Sequence, residues 1–123
     1  MQTKSTLDGV LKSPENEVEE LQITLEDAKR TVALRDDLMK LAKNKLFKTL
    51  IVDAYMKDES LRLTQIIGEF QHKENRDEIV DALKSISHFR QWMDRILGMG
   101  DVAEQSIKEY ELALQDAYAE MEE

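Results

Sequence analysis

Glu69 and His72 stand three apart in the run Glu69-Phe70-Gln71-His72, an E-x-x-H spacing that lets one helix aim a carboxylate and an imidazole at a metal. A di-metal site of this kind needs a second such pair and two further inward glutamates. The other histidine, His88, has Ser85 three residues before it, and the motif itself directly follows Gly68 in a polar connection. It reads as an exposed chance match, and no metal is assigned. Glu17-x-x-Glu20 and Glu78-x-x-Asp81 each put two acids on one helix face, the arrangement with which all-α nucleotide pyrophosphohydrolases hold magnesium. Here the pairs lie nearly sixty residues apart, and Glu17 and Glu20 flank an apolar seam, in a chain with 26 acids. Ser85, Ser87 and His88 are neighbours on one helix and point in different directions, so they form no nucleophile–base pair. There is no Cys, no G-x-S-x-G, no phosphate-binding Gly-rich loop and no dinucleotide fingerprint. The expectation is a protein without catalytic residues or cofactor.

Binding chemistry is better represented. Lys40, Lys43, Lys45 and Lys48 form a basic run with no acid between residues 38 and 52. With Arg35 and Phe47 nearby it is the best nucleic-acid candidate in the chain. Recognition wants a larger basic footprint and stacking aromatics, so the run reads instead as a contact face for acids, and nucleic acid is not expected as a partner. Trp92, between Arg90 and Arg95, reads as a core or interface filler. The six Met suit adaptable packing.

The elements that position these residues are helical. Ser13-Pro14-Glu15 is a helix start, with a side-chain cap followed by a proline where no N–H is needed. Val18, Leu21, Leu25, Ala28 and Val32 then alternate in steps of three and four, an a/d heptad seam. The seam shifts at Arg35, where Leu34, Leu38 and Leu41 take over in a small stutter. Residues 46–67 carry Leu46, Phe47, Leu50, Ile51, Ala54, Tyr55, Leu61 and Ile66 or Ile67, a wide apolar arc with breaks expected near Lys43-Asn44 and Lys57-Asp58-Glu59. After the connection at residues 68–75, Ile79, Leu83, Ile86, Phe89 or Arg90, Met93 and Ile96 or Leu97 face inward from a third helix. Gly98-Met99-Gly100 is a predicted turn, Asp101 and Glu104 a capping box, and Ala103, Ile107, Tyr110, Leu114, Ala117 and Met121 a second heptad stripe. The fold expected is all-α, a helical bundle with a long N-terminal coiled-coil-like helix and a C-terminal antiparallel helical hairpin. A flexible arm over residues 1–12 precedes one domain over 13–123, with helices at about 14–43, 45–67, 76–97 and 101–121.

Size and charge narrow the function. A chain of 123 residues at 41% hydrophobic and 35% charged supports one folded domain. No apolar run approaches the roughly 20 residues that span a bilayer, and the N-terminus lacks the apolar stretch of a secretory signal, so no membrane contact is expected. The net charge of −9 disfavours anionic partners for the surface as a whole. It is unevenly spread, from +4 over residues 38–52 to −7 over residues 101–123. These two segments complement one another, within the molecule or between copies.

One stretch is similar to a known group. Leu46-Phe47-Lys-Thr-Leu-Ile-Val-Asp-Ala-Tyr55-Met-Lys-Asp58-Glu59-Ser-Leu-Arg62-Leu63, followed by Phe89-Arg90-Gln91-Trp92 and Gly100-Asp-Val-Ala103-Glu104, resembles small acidic helical proteins of tailed bacteriophages over about residues 44–111. The resemblance carries no functional residues over. It implies a virion-associated or capsid-assembly (scaffold-like) context, in the host cytoplasm or the virion, with a portal, capsid or tail component as partner. The resulting expectation is a non-enzymatic structural protein that homo-oligomerises through the Val18–Val32 and Ala103–Met121 seams. The alternatives are a small phage regulator that binds a host factor and, third, the magnesium-dependent nucleotide hydrolase.

Overall fold

The computed structural model describes residues 13–122, apart from the side chains at positions 14 and 70–72, so the arm expected over residues 1–12 lies outside the described residues. The chain is all-α, with no strand among the described residues. Helix α1 is Pro14–Ala42 and α3 is Arg76–Glu122. Between them α2 covers residues 45–67 in three windings, α-helical over Lys45–Phe47, π-helical over Lys48–Glu59 and α-helical again over Ser60–Ile67. A 3₁₀ turn, Phe70–Asn75, leads into α3.

The boundaries follow local chemistry. Ser13 Oγ accepts from the Asn16 N–H at 3.2 Å, and Ser13 O accepts the first helical bond from Glu17, so the expected cap is made. Helix α1 closes with tight bonds from the Lys43 and Asn44 N–H groups to the Lys40 and Leu41 carbonyls. Asn44 then caps α2 by accepting from Leu46 N and Phe47 N at 2.9 and 3.1 Å. The break expected near Lys57-Asp58-Glu59 is absent. Glu59 and Ser60 keep helical dihedrals, and Arg62 donates back to Glu59 across the junction, its Nε at 3.0 Å. That guanidinium holds the Glu59 carboxyl below its usual range, and the carboxylate in turn raises Arg62.

The predicted turn at Gly98-Met99-Gly100 is also absent, and with it the C-terminal hairpin. Helix α3 runs unbroken through these residues, so Asp101 and Glu104 are interior and have no helix start to cap. A glycine ends a helix by taking a positive φ, and none does so among the described residues. Nothing lies within 4 Å of where a Gly98 Cβ would stand. Gly98→Ala is therefore expected to raise stability by about 0.5–1 kcal/mol, read as a higher melting midpoint. A glycine in a left-handed turn would give the opposite sign.

The chain divides into two compact units. The first joins the N-terminal part of α1, up to Ala33, with α3 from Met99 onward. Here the two heptad seams meet each other. Val18, Leu25, Ala28 and Ala117 are buried, Leu21, Val32, Ala103, Ile107, Tyr110 and Leu114 are half-buried, and Met121 is exposed. Gln22 Nε2 donates to Tyr118 Oη at 2.6 Å, tying the start of α1 to the end of α3. Each isolated stripe had no way to bury itself, and the chain solves this by folding the two together.

The second unit, Leu34–Gly98, has Leu63, Ile79 and Ile86 at its centre, with Tyr55, Met56, Ile66, Ile67, Ala82 and Leu83 packed around them. The inward set expected for α3 is found, with Phe89 half-buried where Arg90 is exposed. Two expectations fail. Arg35 does not displace the α1 seam; it continues the three-four alternation and is itself buried, its guanidinium on Asp36 at 2.9 Å, while Leu34 and Leu41 are exposed. A long aliphatic stem lets arginine occupy a seam position while its head finds a carboxylate. In α2, Leu46, Leu50, Ala54 and Leu61 are exposed and Leu63 is the buried leucine. The π winding accounts for Leu50 and Ala54, because inward positions advance by four to five residues (Phe47, Ile51, then Tyr55 and Met56) and leave those two outside.

Candidate functional site

Three helices of the second unit leave a cleft of about 700 Å³ between them. The end of α1 contributes Leu38, Met39 and Ala42, α2 contributes Phe47, Val52 and Met56, and α3 contributes Met93 and Leu97. The cap at Asn44 turns the chain from α1 into α2 and places Phe47 beside the last turn of α1. The π winding brings Val52 and Met56 onto the same wall. Met39 and Val52 remain 46% and 39% exposed, so the apolar lining is reachable from solvent. Three unbranched methionines, one on each helix, give it a surface that can adapt its shape.

Charged side chains ring this floor: Lys43, Lys57 and Arg90 against Asp53 and Asp94. All five are exposed, and among the described residues none has a side-chain hydrogen bond or ion pair. Lys40, Lys45 and Lys48 extend the positive charge along the α1–α2 junction, also exposed and without ion-pair partners among the described residues. The basic face expected at Lys40, Lys43, Lys45 and Lys48 thus borders an apolar cleft and is joined by Lys57 and Arg90. Mixed rim and apolar floor together suit a ligand that is mainly apolar with an acidic edge.

Beside the cleft, Tyr55, Phe89 and Trp92 form an aromatic run. Tyr55 and Phe89 are tilted with centroids 6.3 Å apart, and Phe89 meets Trp92 edge-on at 6.2 Å. Trp92 is 47% exposed, so it covers the unit's surface and does not sit in its core.

The residues weighed for metal chemistry fall elsewhere. Glu69 has an extended backbone just before the 3₁₀ turn, and the side chain of His72 is outside the described set, so the E-x-x-H spacing does not lie along one α-helix. Glu17 and Glu20 are exposed on α1 in the first unit, and Glu78 and Asp81 are exposed on α3 in the second. Among the described residues no group of three His, Asp or Glu side chains is placed to hold a metal ion. No described helix is long and apolar enough to cross a membrane.

Sequence reasoning missed the cleft, because its walls come from positions 38–57 and 90–97, which no local pattern links. The available signal was the placing of Met39, Met56 and Met93 near the inward stripes of three successive helices. Comparison with protein families, curated proteins and solved structures finds no match for this chain.

Proposed function

We propose that this chain is a non-enzymatic structural protein that self-associates through helix faces and docks on a component of a tailed-bacteriophage particle. What supports self-association is the apolar surface left over after the intrachain seams close. Leu46 and Leu50 are 70% and 60% exposed on one face of α2, and Val102 and Leu112 are 64% and 62% exposed on α3. Single exposed leucines are ordinary on any surface, but a shared face of two on a helix that also walls an open methionine-lined cleft is a feature of interaction sites. The original seams are spent within the chain, so association runs through these outer faces and no longer through Val18–Val32 and Ala103–Met121. The phage setting rests on the resemblance over residues 44–111, which takes in the α2 and α3 walls of the cleft and leaves out its α1 wall at Leu38, Met39 and Ala42.

A two-tag experiment tests this reading. Co-expressed with two different tags, the chain should carry a second copy through purification against either tag. Mixed with purified portal, shell and tail assemblies, it should then travel with one of them through a sedimentation gradient. A chain that carries no second copy and stays at the top of every gradient contradicts the proposal.

A further inference from the structure

We propose that the cleft of the second unit is the socket for the outer face of the C-terminal helix of another copy, with Leu112 as the inserted side chain. This rests on the self-association reading and specifies its contact. Leu112 is 62% exposed on α3, on the side opposite the buried stripe through Tyr110, Leu114 and Ala117. Glu109 and Asp116 stand three before and four after it, so both flank it on the same helix face, with Glu120 a turn further on. Lys108 is the one cation of that face. The knob is therefore apolar at its tip and acidic at its edge.

The socket has the inverse design. Its floor is apolar, its walls hold the exposed Met39 and Val52, and its rim carries Lys43, Lys57 and Arg90, unpaired among the described residues, against two acids, Asp53 and Asp94, with Lys40, Lys45 and Lys48 adding positive charge alongside. Over residues 38–52 the chain is +4, and over residues 101–123 it is −7. In a protein of net charge −9, two copies repel each other everywhere except where such opposite segments meet, so charge selects this orientation over others. The occupant fits the cleft in form as well: an amphipathic helix laid in a hydrophobic groove anchors through one or two side chains at helical spacing. Knob and socket are different surfaces, so the contact is heterologous, and each copy offers one of each.

Complementation between two variants decides the matter. Leu112→Asp removes the knob and leaves the socket; Met39→Asp spoils the socket and leaves the knob. Both positions are exposed, and circular dichroism should show both variants as helical as the parent. Each variant alone should run as a monomer where the parent associates, and an equimolar mixture should give a 1:1 pair and nothing larger. Lys43→Glu with Arg90→Glu should weaken association as Met39→Asp does, without touching the apolar floor. Association indifferent to both single replacements would overturn the docking while leaving self-association in place, whereas a parent that is monomeric throughout would remove both. A monomer whose cleft takes up a long-chain fatty-acid probe instead would likewise overturn the second copy as occupant.

Discussion

Replacing Ala117 by aspartate should cost about 3 kcal/mol or more, a large fraction of the roughly 5–15 kcal/mol that holds a domain of this size together. Ala117 is 2% exposed, the tightest point of the paired seams in the first unit. A methyl side chain there lets α1 and α3 approach closely, and a carboxylate placed in the same space would lose its hydration and gain no partner. Urea unfolding should show the midpoint falling by a corresponding amount. Ala119→Asp, two residues on and exposed, should change it by only about 0.5 kcal/mol or less. Equal effects at the two positions would mean that the C-terminal stripe does not pack against α1.

Leu63→Ala should be the second large effect, at about 2–5 kcal/mol, since it empties the centre of the second unit. Leu63 is 5% exposed and forms the buried cluster with Ile79 and Ile86. Its neighbour two positions back, Leu61, is 57% exposed, and Leu61→Ala should shift the unfolding midpoint very little. The pair is a direct test of helix phase. Sequence spacing favours Leu61 as the inward residue, and the folded chain favours Leu63, so the larger loss identifies which face of α2 is buried.

The contrast between Leu61 and Leu63 shows where the sequence stops being sufficient. Periodicity along one regular helix is local information, and it located the Val18–Val32 seam, the Ala103–Met121 stripe and the inward face of residues 79–97. Capping is equally local, which is why Ser13 and the break beside Asn44 were readable. In α2 the phase depends on how the backbone winds, and the π segment from Lys48 to Glu59 resets it in a way that a fixed period cannot anticipate. Gly98 and Gly100 carry a similar lesson. Each glycine costs about 1 kcal/mol inside a helix, but Ile96 and Gly100 are buried, and tertiary packing outweighs intrinsic propensity. At Arg35 the apolar spelling of the seam is interrupted in the sequence, although the arginine stem is long enough to fill the position.

The candidate site was legible in part for the same reasons. Four lysines without acids are visible in a linear string, so the basic face could be named. The apolar floor beside it comes from three helices that meet only after folding, so Met39, Met56 and Met93 looked like ordinary core residues. The heptad seams were the opposite case. Their residues are legible as apolar stripes that need a covering partner, while spacing alone does not say whether the partner stripe belongs to the same chain.

We propose that this small acidic chain works by associating with itself through surfaces left free by its fold. The most direct measurement is the solution mass by light scattering over a wide concentration series, repeated at low and high salt. The account predicts a mass above the 14.3 kDa of the single chain that rises with concentration at low salt and falls as salt screens the Lys40–Lys48 face. A mass equal to one chain at every concentration and both salt levels would contradict it.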